Sequence, residues 1–174
     1  MKNNYFLILF IILFSKVSLA DDLNIEAKNI TIDKKNQVSI FENNVVIKDT
    51  KNTIKSDYAK YDKQKNFFIL RKNIILEDKN GHKFYGEYAT YDKNKKTYTT
   101  VGKSNIVTSE GYKTETEDVV INLEKGLVFS KKNTNIEDLE GNLINLENFE
   151  YQTENNIFKS VGNIQIKDKT ENTY

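Results

Sequence analysis

The sequence predicts an all-β protein, an elongated β-jelly roll or solenoid built from stacked antiparallel strand units of about thirty residues. Three observations indicate this fold. Two columns of residues recur through five rows of the chain, apolar and polar residues alternate within each row, and polar segments separate the alternating runs. The apolar residues are mostly β-branched or aromatic, which favours strands over helices.

The repeat consists of five rows that begin at Ile30, Ala59, Ala89, Val119 and Phe149. One column, at intervals of 29 or 30 residues, holds Ile32, Tyr61, Tyr91, Ile121 and Tyr151. A second column, in which each asparagine precedes valine or isoleucine, holds Asn44, Asn73, Asn105, Asn135 and Asn163. Such a period predicts one supersecondary unit per row, with each unit packed on its neighbours.

Within a row, the alternation slips by one residue at a fixed place. Ile54, Ser56 and Tyr58 share one face of a predicted strand. Ala59 and Tyr61 then continue the pattern out of step, and rows three and five show the same slip. Because a one-residue shift moves every later side chain to the other face, we expect a β-bulge that bends each strand.

Polar segments between the alternating runs predict hairpin turns, since Asp, Asn and Gly tolerate left-handed backbone conformations. These segments are 33–37, 62–66, 92–96, 123–126 and 152–156, with a second layer of turns at 78–81 and 138–141. No amphipathic helix of useful length is predicted after residue 20. One face of each strand is apolar, so the stacked rows are expected to enclose a continuous apolar interior. Unpaired strand edges are expected at both ends.

The first twenty residues have the features of a secretory signal peptide. Lys2 precedes an apolar run from Tyr5 to Phe14, and small residues lead up to Ala20. We predict cleavage after Ala20. The alternative is an uncleaved anchor, but this run is about half as long as a membrane-spanning helix. The predicted organisation is therefore a signal peptide at 1–20 and one β-domain at 21–174.

Candidate catalytic and metal-binding residues are scarce. His82, the single histidine, lies beside a predicted turn and is expected to be a solvated loop residue, with no nucleophile-elbow pattern near it. The absence of cysteine excludes thiolate ligands and cysteine nucleophiles. Carboxylate pairs such as Glu115/Glu117 and Glu137/Asp138 lack calcium-loop spacing and are expected on solvated strand faces. We therefore predict no enzyme activity, no catalytic residues, no bound metal and no cofactor.

The formal net charge of +1 and the mixture of lysines with acidic residues argue against nucleic-acid binding. A set of tyrosines, in contrast, fits two interpretations. They would form a platform for stacking sugars or bases, or a ladder of rings between equivalent rungs, and the repeat favours the ladder. The set is Tyr58, Tyr61, Tyr88, Tyr91 and Tyr151.

A signal peptide followed by A-x-x-I-x-I-D, N-x-V-x-I and I-x-S-x-x-A-x-Y-D resembles the OstA family of lipopolysaccharide-transport proteins. This family comprises LptA, the periplasmic part of LptC and the N-terminal periplasmic domain of LptD. The residues that carry the resemblance are Ala27, Ile30, Ile32, Asp33, FENNVVI at 41–47, Ile54, Ser56, Ala59, Tyr61, Asp62 and the segment 72–92. Residues 134–174 look most like LptD-type chains.

The resemblance implies a slightly opened β-jelly roll whose apolar groove holds the acyl chains of lipopolysaccharide. It also implies a periplasmic protein that joins other Lpt jelly-roll proteins head to tail by edge-strand pairing. An LptD-type chain would in addition adjoin an outer-membrane β-barrel and be associated with that membrane. The residues expected to line the apolar interior are Ile30, Ile32, Ile40, Ile47, Ile54, Tyr61, Ile69, Ile74, Leu76, Tyr91, Ile121, Phe129, Ile164 and Ile166.

The chain departs from the family pattern in two ways. The glycine that family members carry before Asn-Val is kept only as Gly162, and the other rows have Asn43, Lys72, Ser104 and Thr134 instead. LptD members commonly carry cysteines, which are absent here.

Because the sequence stops soon after row five, we interpret it as an LptD-type fragment without its barrel rather than a complete LptA. LptC is a third alternative. The main alternative function is an exported, non-enzymatic β-solenoid that acts as a surface or adhesion module. A carbohydrate-active enzyme would require paired carboxylates lining a cleft, and the acidic residues are expected to point outward.

Overall fold

The computed structural model describes residues 23–170 and Asn172, so the predicted signal peptide at 1–20 lies outside the described residues. The described part contains sixteen β-strands and no helix, which confirms the all-β prediction. The strands are β1 (Asn24–Glu26), β2 (Asn29–Asp33), β3 (Val38–Lys48), β4 (Thr53–Asp62), β5 (Phe67–Glu77), β6 (Lys83–Asp92), β7 (Thr97–Thr100), β8 (Lys103–Val107), β9 (Lys113–Glu117), β10 (Val120–Asn122), β11 (Leu127–Ser130), β12 (Thr134–Glu137), β13 (Leu143–Leu146), β14 (Phe149–Gln152), β15 (Ile157–Lys159) and β16 (Ile164–Lys167).

The strands pair antiparallel and form one curled sheet that divides at β6. In the N-terminal half, β3 to β6 are 10 or 11 residues long and pair in chain order. In the C-terminal half, a first arm continues from the C-terminal part of β6 in the order β7, β10, β11, β14, β15. A second arm continues from the N-terminal part of β6 in the order β8, β9, β12, β13, β16.

Bulges bend the long strands at the predicted slip. The pairing of β3 with β4 shifts between Glu42 and Val45, and the pairings of β4 with β5 and of β5 with β6 shift at the equivalent places. Asn43 and Asn44 have positive φ angles of 64° and 56°. Two successive left-handed residues reset the alternation, so Val45 enters the interior with 1% of its surface exposed.

In the C-terminal half, the chain is interrupted at the positions that correspond to these bulges. β7 ends at Thr100 and β8 begins at Lys103, while Asp118 and Val119 separate β9 from β10. Side chains take up the backbone groups that these interruptions leave unpaired. Asp118 Oδ1 accepts a hydrogen bond from the Gly102 N–H at 2.9 Å, and Thr100 Oγ1 accepts one from the Val119 N–H at 2.9 Å. We call the line of bulges and interruptions the spine.

The asparagine column of the repeat corresponds to the spine in the structure. Each asparagine of the second column lies at or next to the spine, and the apolar residue after it points inward. Four of these following residues, Val45, Ile74, Ile106 and Ile136, are buried at 1–3% exposure. The turns also lie where the sequence predicts them, at 34–37, 63–66, 93–96, 123–126 and 153–156.

Candidate functional site

Two rows of inward-pointing side chains extend along the whole sheet, because residues directly opposite in an antiparallel pair share a face. The row along the second arm is Ile25, Ile47, Ile54, Leu76, Phe84, Ile106, Thr114, Ile136, Ile144 and Ile166. The row along the first arm is Ile32, Ser39, Tyr61, Phe68, Tyr91, Tyr98, Ile121, Val128, Tyr151 and Phe158. Together they form a largely apolar interior from one end of the sheet to the other.

This interior is packed in the middle and exposed at both ends. Phe68 and Leu76 are 0% exposed, whereas Ile32 is 63% exposed and Ile164 is 50% exposed. Among the described strands, β1 and β2 pair only with β3 at one end, while β15 and β16 pair only with β14 and β13 at the other. Each end therefore combines a free strand edge with exposed apolar side chains, a combination that favours pairing with another chain.

Most of the predicted lining residues point inward. The buried ones are Ile47, Ile54, Ile74, Leu76, Tyr91 and Ile121. Tyr61 is half-buried, and Ile30, Ile32, Ile164 and Ile166 point inward at the exposed ends. That these side chains contact a lipid stays a prediction.

The assignment to the interior is wrong for Ile40, Ile69 and Phe129. Ile40 and Ile69 both lie opposite Lys60, and Phe129 lies opposite Glu150, so all three side chains are on the outer face. Each of them stands next to an inward-pointing apolar residue. The sequence therefore shows an unbroken apolar run there, in which the alternation is not visible.

His82 is buried rather than solvated, so the prediction for this residue is wrong. The loop folds its side chain inward to 0% exposure, and Asp78 Oδ1 accepts a hydrogen bond from the His82 N–H at 3.0 Å. Nδ1 accepts a hydrogen bond from the Ser109 N–H at 3.0 Å, and the ring meets Tyr151 edge-on at 5.5 Å between centroids. A neutral imidazole that accepts at Nδ1 carries its proton on Nε2. The Nε2 atom of His82 has no hydrogen-bond partner among the described residues.

The two arms also meet along the side of the interior that lies opposite the spine, which we call the mouth. Asn156 Nδ2 donates to Glu110 Oε1 at 2.7 Å, and Lys79 Nζ lies 3.5 Å from Glu154 Oε1. All four side chains are exposed or nearly so, and exposed ion pairs contribute only about 0–1 kcal/mol. These exposed polar contacts across the mouth are therefore weak.

A cleft of ≈ 230 Å³ opens at the mouth. Its floor includes the interior residues Tyr91, Ile121 and Val128, and its rim consists of the loop 49–52 and several turns. Pockets for drug-sized molecules are roughly 300–1,000 Å³. This cleft is therefore smaller than a pocket for a drug-sized molecule.

The tyrosine set divides into two groups. Inside, Phe68 stacks between Tyr61 and Tyr91, with centroid distances of 4.3 Å and 6.1 Å, and these rings form the favoured ladder. Tyr58 and Tyr88 are on the outer face, where both rings flank an arginine guanidinium group at 5.5 Å and 5.8 Å. The ladder therefore applies to the inward tyrosines only.

Buried hydroxyl groups are more numerous in the interior of the C-terminal half than in that of the N-terminal half, and most of them have partners near the spine. Ser104 Oγ donates to Thr100 Oγ1 at 2.7 Å, and the hydroxyls of Thr116 and Thr134 are 2.9 Å apart. Sequence alternation marks these positions as inward, but their polarity conceals them in a search for apolar lining residues.

Other kinds of site are not apparent in the part of the chain that the structure describes. Residues 23–170 contain no group of three or more His, Asp or Glu side chains placed to hold a metal ion. Glu115 and Glu117 are exposed, as expected for a solvated strand face. In the same range, no helix has the length and apolar character needed to cross a membrane.

The curled antiparallel sheet, with one buried face and a divided second half, defines an open β-jelly roll. Its architecture is similar to the crystal structure of LptH from Pseudomonas aeruginosa, described as the LptA-homologous periplasmic component of a conserved lipopolysaccharide transport device. The match has a TM-score of 0.50 and 13% sequence identity, and it covers 84% of this chain and 94% of that chain. At this identity the likeness establishes the fold.

A second solved structure, the TCP10 domain of Danio rerio CPAP in complex with a STIL peptide, covers 88% of this chain and 97% of that chain. Its TM-score of 0.17 and 9% identity carry no argument. No family profile and no curated protein sequence matches the chain.

Proposed function

We propose that this chain is a periplasmic lipopolysaccharide-binding bridge domain that passes lipopolysaccharide toward the outer membrane. The acyl chains lie in the interior between the two arms, and the domain acts without catalysis or a cofactor. The observation that carries this proposal is the largely apolar interior that connects two free sheet ends. The fold shared with LptH supports it.

Burial of the acyl chains supplies the affinity, at about 0.8 kcal/mol for each methylene removed from water. Because side chains such as Phe68 and Leu76 already fill the interior, an entering chain exchanges contacts among these inward side chains for contacts with lipid. The weak polar contacts at the mouth allow the arms to part for this exchange. Non-directional contacts also allow the lipid to slide from one set of side chains to the next.

The free edges at the two ends supply the connections of the bridge. A partner strand that pairs with β1 or β2 at one end, or with β15 or β16 at the other, satisfies the open backbone groups by β-augmentation. It also covers the exposed inward residues Ile32 and Ile164. The interior of one domain then continues into that of the next.

Within the OstA family, we assign the chain to the LptD type, on the resemblance of residues 134–174 to LptD-type chains. The reading frame of the gene decides this assignment: a continuation into several hundred alternating residues supports LptD, and a stop after Tyr174 supports LptA. N-terminal sequencing of the exported protein tests the signal peptide. A chain that begins at Asp21 supports cleavage and periplasmic location, and an intact N-terminus supports an LptC-type anchor.

Photo-crosslinking in cells tests lipid binding with adjacent inward and outward positions. We place a photoactivatable amino acid at Tyr61 or Ile166, which point inward without being fully buried, and at the outward neighbours Lys60 and Gln165. Lipopolysaccharide adducts are expected at the inward positions only. Adducts confined to the outward positions would contradict a lipid conduit and favour the surface or adhesion module.

Introduced cysteines test head-to-tail pairing, because the chain has no cysteine of its own. We expect a protein with cysteines at both Asn24 in β1 and Lys167 in β16 to form a ladder of disulfide-linked oligomers on a non-reducing gel. Either single variant is expected to stay monomeric on the same gel, because head-to-tail pairing places its one cysteine opposite a residue that is not cysteine. The absence of species larger than a dimer in the double variant would refute self-association through these edges.

A further inference from the structure

Three buried polar atoms in the interior of the molecule have no hydrogen-bond partner among the described residues. They are Tyr98 OH, Thr114 Oγ1 and His82 Nε2. All three side chains are at least nine-tenths buried, with Tyr98 and His82 at 0% and Thr114 at 1% exposure. Buried polar groups in folded proteins are almost always hydrogen-bonded, so an unpartnered set needs a reason.

These atoms differ from the other interior hydroxyls. Thr100 and Thr116 lie at the spine, where both hydroxyls have hydrogen-bond partners. Thr100 Oγ1 accepts a hydrogen bond from the Val119 N–H, and the Thr116 hydroxyl is bonded to that of Thr134. Tyr98 and Thr114 each lie two residues further toward the mouth, one on the first arm and one on the second. Their direct cross-strand neighbours are apolar or aromatic, for example Ile121 beside Tyr98. The fold therefore does not use these two hydroxyls to repair interruptions in the strands.

All three atoms can donate a hydrogen bond. Burial raises the pKa of the Tyr98 phenol, so this group keeps its proton at neutral pH. Thr114 carries a hydroxyl proton, and the acceptor role of His82 Nδ1 leaves the proton of the neutral ring on Nε2. A ligand that satisfies them needs oxygen acceptors, carried on a body apolar enough to enter this core.

We propose that Tyr98, Thr114 and His82 form a polar subsite for acyl chains that carry oxygen, as a hydroxyl or as an ester or amide carbonyl. The proposal rests on the proposed function, since the chain must first enter the interior between the arms. The apolar side chains around the subsite then hold plain hydrocarbon, and the subsite selects chains that carry an oxygen besides the terminal carboxyl group.

Isothermal titration calorimetry with a matched ligand pair tests the subsite. The probes are dodecanoic acid and 3-hydroxydodecanoic acid, which differ by one hydroxyl group. We expect the protein to bind the hydroxy acid roughly threefold to tenfold more tightly, the range that one net hydrogen bond supplies. Tyr98→Phe and Thr114→Val are expected to bring this ratio toward one.

Two outer-face substitutions, Tyr85→Phe and Thr90→Val, are the matched controls and are expected to keep the ratio of the unmodified protein. In the absence of ligand, Tyr98→Phe and Thr114→Val are expected to melt at or above the melting temperature of the unmodified protein, because each substitution removes an unpartnered buried group. Lower melting temperatures for both variants would show that the hydroxyls serve the fold and would overturn the subsite.

Equal affinities for the two acids in the unmodified protein, or a preference that survives both substitutions, would also overturn it while leaving the lipid conduit in place. If neither acid binds, the proposed function fails and the subsite fails with it.

Discussion

The two halves of the molecule bend their strands at the spine in different ways. In the N-terminal half, the long strands stay continuous across the spine through pairs of left-handed residues such as Asn43 and Asn44. In the C-terminal half, the strands stop at the spine and restart, and side chains such as Thr100 bind the freed backbone groups. The difference shows that interruptions bring more hydroxyl groups into the interior than bulges do, since Ser56 is the buried hydroxyl at the described bulges.

The largest expected difference concerns core packing in the two halves. Leu76→Ala, at a fully buried position of the N-terminal half, is expected to lower the free energy of unfolding by about 4 kcal/mol. Leu146→Ala, near the open end of the C-terminal half, is expected to lower it by about 2 kcal/mol, because its surroundings can collapse into the cavity. Urea denaturation measures both values. Equal losses would mean that the interior is packed as tightly near its end as in its middle.

The next effect concerns contacts of the loop between β5 and β6 with the two arms. His82→Ala removes the acceptor for the Ser109 N–H and leaves a cavity beside Tyr151, so we expect a loss of about 2–3 kcal/mol. Amide hydrogen exchange at Ser109 is expected to accelerate in the variant. Asn80→Ala, an exposed position in the same loop, is the control and is expected to change stability by less than about 0.5 kcal/mol. Unchanged exchange at Ser109 would contradict this role of His82.

A smaller effect, of opposite sign, concerns the bulges of the N-terminal half. Lys72 has a φ angle of 64°, which costs a residue with a Cβ atom roughly 1–2 kcal/mol. Lys72→Gly relieves this strain but adds freedom to the unfolded chain, so we expect a net gain of about 0.5 kcal/mol in thermal or urea unfolding. Lys60→Gly, in a regular part of β4, is expected to lower the free energy of unfolding by about 0.5 kcal/mol. A loss in both variants would mean that the bulge is not strained.

The smallest effect is a pH dependence at an interruption of the C-terminal half. The hydrogen bond from the Gly102 N–H, with help from Lys132 at 3.5 Å, lowers the pKa of Asp118 below its ordinary value of 3.8. Because the pKa of Asp118 is lower in the folded protein than in the unfolded chain, the ionised carboxylate stabilises the fold at pH values above the ordinary pKa. This stability is lost as the pH falls through the lowered pKa of the folded state. Asp118→Asn is therefore expected to melt slightly lower than the unmodified protein at pH 7.

The two melting curves are expected to converge as the pH drops below about 3.8. A difference that persists at pH 2 would show that the charge of Asp118 is not its cause. Asp33→Asn is a useful comparison, because the pKa of Asp33 is also lowered, but by Asn36 within a turn of the N-terminal half.

The repeat explains how much of this fold the sequence predicts. Columns and turns mark the strands and the bulges, since each row has the same local chemistry. The face of a residue becomes ambiguous where apolar residues are consecutive, as at Ile69, because alternation is then invisible. The orientation of His82 depends on a contact with Ser109, 27 residues away, which no local pattern encodes. The unpartnered hydroxyls of Tyr98 and Thr114 need the structure too, since only packing shows which partners are missing.

The division of the sheet at β6 has a consequence for register. One side of β6 pairs with β5, while its other side supports β7 along one part and β8 along the other. A slip of one residue between β5 and β6 would therefore turn the inward faces of both arms outward together. The register of every strand pairing in the C-terminal half therefore depends on the register of β6. β6 is thus the template on which both arms align, and it joins the two halves into one interior.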